Sequence, residues 1–169
     1  MWWGAVRINF AAGMMLALFV AACGSRPAST STGQDVSCVN SAAPHHAYVV
    51  VEHLSGSYFQ RCVGFSGATI DGQTLMDQSG VEYLAHKLSS GKAVCQVDNE
   101  PSQVTQCFPP NQPYWALFLE IQGKWVGATT GITDVNLHDH DALGWHYVSA
   151  TDSSPAPPPL AQPMPAASA

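Results

Sequence analysis

The chain has 169 residues, enough for one domain of ordinary size, and carries 12 acidic against 6 basic residues. The formal net charge of −6 argues against nucleic-acid binding, which needs Lys and Arg clustered against phosphates. Charged residues are only 11% of the chain, while Gly and Pro number 14 and 12. This composition is typical of an extracellular, β-rich domain with long turns.

Residues 1–22 have the pattern of an export signal peptide. Arg7 gives the start a positive charge, and the apolar run over 8–22 is shorter than the roughly 20 residues that cross a bilayer. The run ends in VAAC, which matches a bacterial lipobox with its cysteine at position 23. We therefore predict that Cys23 carries an acyl lipid, which fixes the chain to the bacterial membrane outside the cytoplasm.

Four further cysteines are present: Cys38, Cys62, Cys95 and Cys107. An even number in an exported chain suggests two disulfides, and four cysteines allow three pairings. We favour Cys95 with Cys107, because the loop they close contains a plausible turn over 98–101, and this leaves Cys38 for Cys62. A four-thiolate zinc site is the alternative, but the chain has no Cys-x2-Cys pair.

The composition divides the chain into four segments. After the leader at 1–22, residues 23–45 begin with small polar residues and are predicted to be a flexible tether. Residues 46–150 form the predicted domain. Residues 151–169 are rich in Pro, Ala and Ser, so we predict a disordered tail that buries too little apolar surface to fold.

Runs rich in β-branched and aromatic residues, bounded by turn residues, predict six strands. These are Ala47–Leu54, Tyr58–Phe65, Ala93–Val97, Tyr114–Ile121, Lys124–Thr129 and Leu143–Ser149.

One helix is predicted between the second and third of these strands. Thr74 and Asp77 resemble a capping box, and Gly91 stands where a C-terminal glycine cap would lie. Between them, apolar residues follow at helical spacing: Val81, Leu84, Ala85 and Leu88. Two strands, a helix and then further strands is the order of a β-grasp, so we predict an α+β fold with one helix packed across a mixed sheet.

Several segments recur in the order seen in a known domain family. They are YWALF (114–118), GKW (123–125), TGITD (130–134) and LHDHDALGWHY (137–147), with GQTLMD (72–77) upstream. Over residues 47–149 the chain resembles the family of the C-terminal domain of transcobalamin and intrinsic factor. That family has a Tyr-Trp strand, a Gly-Ile/Val-x-Asp segment and a Lys-Asp-Gly-Asp turn before a Trp-x-Tyr strand.

The resemblance implies a β-grasp-like fold and a site on one face of a corrinoid, as in the cobalamin carriers. Two departures qualify the expectation. His140 replaces the glycine of the family's turn, which predicts a different backbone there. The large helical domain that holds most of the ligand in cobalamin carriers has no counterpart in this sequence, so the domain would supply half of such a site.

The candidate ligand-binding residues are aromatic or lie in a hydroxyl-rich loop. Tyr114, Trp115 and Trp125 could stack on a flat ligand, and the loop Thr129, Thr130 and Gly131 could approach it closely. The alternative is that the aromatic residues pack in the core, and it is strongest for Trp115 and Trp145, which alternate with apolar neighbours.

The turn before the last strand also offers metal-ligating groups. His138 and His140 would project to the same side of an extended segment, and imidazole with carboxylate suits zinc, copper or nickel. The alternative is that Asp139 and Asp141 accept backbone hydrogen bonds within the turn.

No catalytic motif is recognisable: the sequence lacks Gly-x-Ser-x-Gly, His-Glu-x-x-His and a phosphate loop. We predict a non-enzymatic lipoprotein without a resident cofactor. Its β-grasp domain would bind a small planar molecule, a corrinoid being one candidate, and pass it to a membrane transporter. The alternatives are a protein-interaction or structural module of the cell envelope, and a metal-binding lipoprotein that uses the His/Asp turn.

Overall fold

A computed structural model of the chain describes residues 38–89 and 91–163. The predicted leader, the lipidation site Cys23 and the tether up to residue 37 lie outside these residues, as does the end of the tail. No helix in the described ranges is long and apolar enough to span a membrane.

The described residues contain short strands, one α-helix and one 3-10 turn. In chain order they are β1 (His45–Glu52), β2 (Tyr58–Phe65), β3 (Ile70–Asp71), α1 (Gly72–Ser79), β4 (Tyr83–Leu88), β5 (Gly91–Val97), β6 (Tyr114–Ile121), β7 (Lys124–Gly127), the 3-10 turn (Ile132–Asp134), β8 (Asn136–Leu137) and β9 (Ala142–Val148).

The main sheet has five strands in the order β2-β1-β9-β6-β7. β1 and β9 run parallel, with Tyr48 opposite Ala142 and Glu52 opposite His146. The other neighbouring pairs in this sheet are antiparallel. A mixed sheet with one helix confirms the predicted α+β class.

Alternate residues of the central strands point to opposite faces of this sheet. Val49, Val51, Leu143 and Trp145 face the side that we call the inner face, where all four are buried in the main core. Helix α1 packs there against β1 and β2, and the β4–β5 hairpin adds Val94 and Val97 to the same core. The inner face therefore carries most of the hydrophobic core.

Helix α1 begins three residues before the predicted capping box. Asp71 is the N-cap, and its carboxylate accepts the backbone N–H of Thr74 over 2.9 Å. Gly80 then takes a left-handed conformation with φ of 73°, which ends the helix. The buried residues Leu75 and Met76 fix it on the sheet.

The prediction that this helix continues through Leu88 is wrong. The segment after Gly80 is strand β4, in which Tyr83 and Ala85 pack against the core while Leu84 points to solvent. Side chains that alternate in this way are typical of a strand. With Val81 and Leu88 also apolar, the same residues happened to fit the spacing of a helix. Likewise, Gly91 does not cap a helix but starts β5 with φ of 98°.

Both predicted disulfides are present, Cys95 with Cys107 and Cys38 with Cys62. The second one corrects the predicted tether of residues 23–45. Cys38 is bonded to β2, and the neighbouring Val39 forms a bridge with Val63. Residues 38–45 therefore belong to the domain.

The tail also differs from its prediction. From Ser153 to Pro163 the chain has no helix or strand, yet Pro158 is buried and Ala161 packs on the sheet. The apolar surface that the tail covers belongs to the opposite side of the main sheet, which we call the outer face. Composition alone predicted disorder because the tail buries little apolar area by itself, and it gives no information about the surface on which the tail packs.

Candidate ligand-binding cleft

The six predicted ligand-binding residues lie on two sides of the sheet. Trp115, Thr129, Thr130 and Gly131 line one cavity of about 220 Å³ on the inner side. An adjoining cavity of about 340 Å³ is lined by Trp115 and also by Tyr114, whose ring packs with Ala116 and Phe118 on the outer face. Trp125 is remote from both and packs on the outer face.

The larger cavity lies between β5, the loop 98–113 and the adjacent ends of β6 and β9. Its polar side chains are amides and hydroxyls: Gln103, Thr105, Gln106, Gln112 and Tyr147. Prolines and aromatic rings make up much of the rest. None of the described residues that line it has a charged side chain, so it is suited to an uncharged ligand.

The smaller cavity shares Val94, Phe108 and Trp115 with the larger one. The two therefore form one cleft, which we call the inner cleft, running from the loop 98–113 to the loop after β7. Its far end is narrow because the chain crosses itself there: a Cβ on Gly131 would lie 2.4 Å from the carbonyl oxygen of Lys92. The close backbone approach that was predicted at Gly131 is made with Lys92.

Phe108 is the aromatic residue most available to a ligand in this cleft, and the sequence did not single it out. Its side chain is 44% exposed and its backbone has φ of 55°. The adjacent Cys107 is bonded to Cys95 of β5, which holds this part of the loop against the sheet. The only sequence signal was the position of Phe108 directly after a cysteine and before two prolines.

Trp115 is a core residue with one edge toward the cleft. It is 4% exposed, its ring stacks on Tyr147 with centroids 4.8 Å apart, and its indole N–H donates to the Glu100 carbonyl over 2.7 Å. Burial raises the pKa of Tyr147, and the negative charge of Glu100 adds to that increase. Both rings thus form a neutral, rigid floor.

His53 connects the entrance of the loop 98–113 to the end of β1. Its Nδ1 lies 2.7 Å from Glu100 Oε2, and its Nε2 lies 3.3 Å from Asp98 Oδ2. Asp98 and Asn99 both have positive φ, 47° and 59°, as in the tight turns that join strands. The loop that forms one wall of the cleft is therefore fixed at this end by the contacts of His53 with two carboxylates.

Both carboxylates of the predicted metal-binding turn accept backbone hydrogen bonds, one from β1 and one from within the turn. Asp139 accepts the backbone N–H of His46 over 2.7 Å, and Asp141 accepts that of His138 over 2.8 Å. The hydrogen bond from His46 is the main reason that the pKa of Asp139 is lowered. The side chains of His138 and His140 are 71% and 70% exposed.

Within the described part of the chain, no group of three or more His, Cys, Asp or Glu side chains is arranged to hold a metal ion. The backbone of the turn is also informative. His140 has φ of 68°, the left-handed conformation that glycine adopts most readily. Histidine is therefore held there in a glycine-like conformation, and the predicted difference from the family's turn stays a prediction.

Comparisons with known proteins give little further guidance. No protein-family model matches the chain, and no curated protein does either. One similar solved structure is a "putative metal binding protein" from Ruminococcus gnavus, which is 17% identical. The match covers 62% of this chain and 97% of that protein, with a TM-score of 0.43. At that level of similarity we transfer neither fold nor function from it.

Proposed function

We propose that this chain is an exported lipoprotein, anchored through Cys23, whose domain binds an uncharged part of a small ligand in the inner cleft. Its main support is the pair of adjoining cavities, since the smaller one is lined by four residues that the sequence predicts to be ligand-binding: Trp115, Thr129, Thr130 and Gly131. The role is binding and delivery, with a membrane transporter as the recipient.

The chemistry of the larger cavity favours a neutral, flat part of the ligand, whereas the smaller cavity is lined in part by Lys92. Burying an unpaired charge costs far more than burying an amide that finds a hydrogen-bond partner. The glutamines and hydroxyls of the larger cavity can provide such partners, while Phe108 and the prolines provide apolar contact. With about 340 Å³ the larger cavity is at the lower end of ligand pockets, which span roughly 300–1,000 Å³.

A corrinoid remains the first ligand to test, on the basis of the transcobalamin-like segments and the proposed β-grasp fold. A cavity of this size would accept an edge or a side group of a corrinoid and leave most of its surface outside. A second protein or a second domain would then cover the remainder. A smaller planar molecule would need no such partner.

Isothermal titration calorimetry of the domain with cobalamin, cobinamide and haem tests the ligand. We expect heat with at least one of them, and we expect Phe108→Ala to weaken that binding about two- to tenfold, since aromatic contacts contribute roughly 0.5–1.5 kcal/mol beyond the buried area. Tyr58→Ala is the matched control, because Tyr58 is an exposed aromatic residue outside the cleft. Absence of heat with all three ligands would contradict a planar ligand of this class, and equal losses in both variants would contradict the location.

The lipid anchor has a separate test. Metabolic labelling with a fatty-acid analogue should mark the wild-type chain in the membrane fraction and leave Cys23→Ser unmarked. An unlabelled wild-type chain recovered with its leader from the soluble extract would contradict export and anchoring, whatever the calorimetry shows.

Metal binding by the His/Asp turn has less support, because Asp139 and Asp141 are already occupied by backbone donors. Unchanged zinc or copper content in the double variant His138→Ala, His140→Ala would dismiss it.

A further inference from the structure

The tail of the chain lies in a specific position along the outer face of the main sheet. After β9 ends at Val148, a turn at Ser149–Ser154 reverses the chain. Asp152 donates its backbone N–H to the Ser149 carbonyl over 3.0 Å, and Ser154 donates its own to Asp152 Oδ1 over 3.0 Å. Residues 156–162 then cross the outer face as an extended segment.

Polar side chains of the sheet bind the main chain of this segment. Glu120 of β6 is only 6% exposed, and its Oε2 accepts the backbone N–H of Ala161 over 2.6 Å. Gln60 of β2 binds both main-chain groups of Gln162: its Oε1 accepts the N–H over 2.7 Å and its Nε2 donates to the carbonyl. A buried carboxylate and a paired amide directed at one backbone segment constitute a built binding site.

A third strand extends this set of contacts. The Nδ1 of His146, on β9, lies 2.7 Å from the carbonyl oxygen of Ala156. The tail is thus held at three points by side chains from three different strands. Because these contacts are made to backbone groups of the tail, they select an extended conformation rather than a particular side-chain sequence.

Between these points a proline is buried against a tryptophan. Pro158 is buried beside Gly144 and Trp125. A Cβ on Gly144 would lie 2.6 Å from the Trp125 ring and 2.8 Å from Cγ of Pro158, so only glycine leaves room for both. Aromatic grooves that hold extended proline-rich segments are a recurring mode of peptide recognition, and prolines reduce the entropy lost on binding.

We propose that this groove on the outer face is a binding site for an uncharged, proline-rich extended segment, and that the tail of a second copy can occupy it by exchange. The tail segment 155–162 has four prolines and no charge. A second copy carries the same segment and would make the same backbone contacts. The hinge is the turn at Ser149–Ser154, where the side-chain hydrogen bonds are exposed and local to the turn. Exchange of an identical element is a low-cost route to a dimer.

In the wild-type chain the tail of the same molecule competes with any second copy. A short flexible link gives an effective concentration in the millimolar range, so the wild-type protein is expected to be monomeric at micromolar concentration. Detecting exchange therefore requires variants in which the tail cannot bind the groove of its own molecule.

Two full-length variants provide this test. Pro158→Asp places a charge where Pro158 is buried, so its tail is released and its groove is empty. Trp125→Ala damages the groove and releases an intact tail. Each variant alone should be monomeric, while their mixture at concentrations up to about 1 mM should form a 1:1 dimer, seen as a doubling of mass in native mass spectrometry and sedimentation.

Pro157→Asp is the matched control, since Pro157 is the exposed neighbour of Pro158. It introduces the same charge into the same proline run but keeps the groove filled, so its mixture with Trp125→Ala should remain monomeric. If Trp125→Ala fails to fold, a synthetic peptide of residues 153–163 replaces it and should quench or shift the tryptophan fluorescence of Pro158→Asp. Folded variants that do not associate, together with no peptide response, would overturn the proposal. The inner cleft is on the opposite face, so its ligand binding is tested independently.

Discussion

The two faces of the main sheet are built from the same strands but are covered in different ways. On the inner face, Trp145 and its apolar neighbours lie under helix α1 and the β4–β5 hairpin, which satisfy their own backbone hydrogen bonds. On the outer face, the small residues Ala142 and Gly144 lie under a tail without regular structure. Small residues of β9 thus lie beneath the tail, although the outer face also buries the bulky side chains of Tyr48 and Phe118.

This difference implies an unequal distribution of stability. The inner face contains the largest fully buried side chains, with Trp145, Leu75 and Met76 among them. The tail over the outer face is held by side chains at three points and by one buried proline. Loss of the inner packing should therefore unfold the domain, while loss of the outer packing should release the tail.

The largest expected effect is on the inner face. Trp145→Ala should lower the free energy of unfolding by about 3–5 kcal/mol, because it removes a large buried ring and leaves a cavity, and its N–H contact to Met76 Sδ at 3.3 Å is lost as well. Urea denaturation followed by circular dichroism measures this loss. Leu88→Ala, at a side chain that is 47% exposed, is the control and should change stability by less than about 0.5 kcal/mol. Similar losses in both variants would contradict the assignment of the core.

The two disulfides sharpen the same comparison, because Cys62 is buried on the outer face while Cys95 lies beside the inner cleft. Replacing either pair by serine should cost about 3 kcal/mol in the chain-entropy model. The Cys38–Cys62 loop spans 24 residues against 12 for the other, so its loss should cost about 0.6 kcal/mol more.

Only the Cys95→Ser, Cys107→Ser variant should also weaken ligand binding in the inner cleft, because that bond holds the loop carrying Phe108. Reversal of this order, with the Cys38 pair affecting ligand binding and the Cys95 pair having no effect, would show that the cleft is not the binding site.

Strands were predicted well where local pattern and tertiary packing agree. β2 and β6 have the predicted bounds, since each is a run of β-branched or aromatic residues between turn signals. The interpretation of Trp115 and Trp145 as core residues is also confirmed by their burial. The fold class followed from the order of these elements.

Prediction from the sequence failed where contacts with other parts of the chain determine the local structure. Apolar residues at 81, 84, 85 and 88 fit a helix and a strand about equally well, and the left-handed Gly80 together with pairing to β5 selects the strand. The tail has no local signal for order because its partner groove is made of residues far away in sequence. Phe108 was missed for a related reason: a disulfide loop places it, and hydrophobic periodicity carries no information about such a loop.

A smaller effect is expected from a single methyl group on the outer face. Gly144→Ala should lower the free energy of unfolding by about 1–3 kcal/mol, as overpacking does in well-packed regions, because the added Cβ collides with Trp125 and Pro158. It should also raise hydrogen exchange at the amides of Ala161 and Gln162. Gly127→Ala is the control, since nothing lies within 4 Å of a Cβ there. Equal behaviour of the two variants would mean that the tail is not packed over Gly144.

The smallest effect concerns the N-cap of the helix that covers the inner face. Asp71→Ala should cost about 1 kcal/mol at neutral pH. Burial alone would raise the pKa of Asp71, but hydrogen bonds from the hydroxyl and the backbone N–H of Thr74 lower it below its usual value. A pKa that is lower in the folded state stabilises the protein above the unfolded value of about 3.9, and this stabilisation is lost as the pH falls through the folded value.

The difference between wild type and Asp71→Ala should therefore shrink on acidification below about pH 4. Asp71→Asn separates capping from charge, because asparagine caps a helix about as well as aspartate and does not titrate. It should keep most of the stability at neutral pH and lose this part of the pH dependence, as measured by thermal unfolding between about pH 2 and pH 7. A pH profile for Asp71→Asn that matches the wild type would mean that the Asp71 carboxylate is not the titrating group, and that the inner cover is held at this end by packing of Leu75 and Met76 alone.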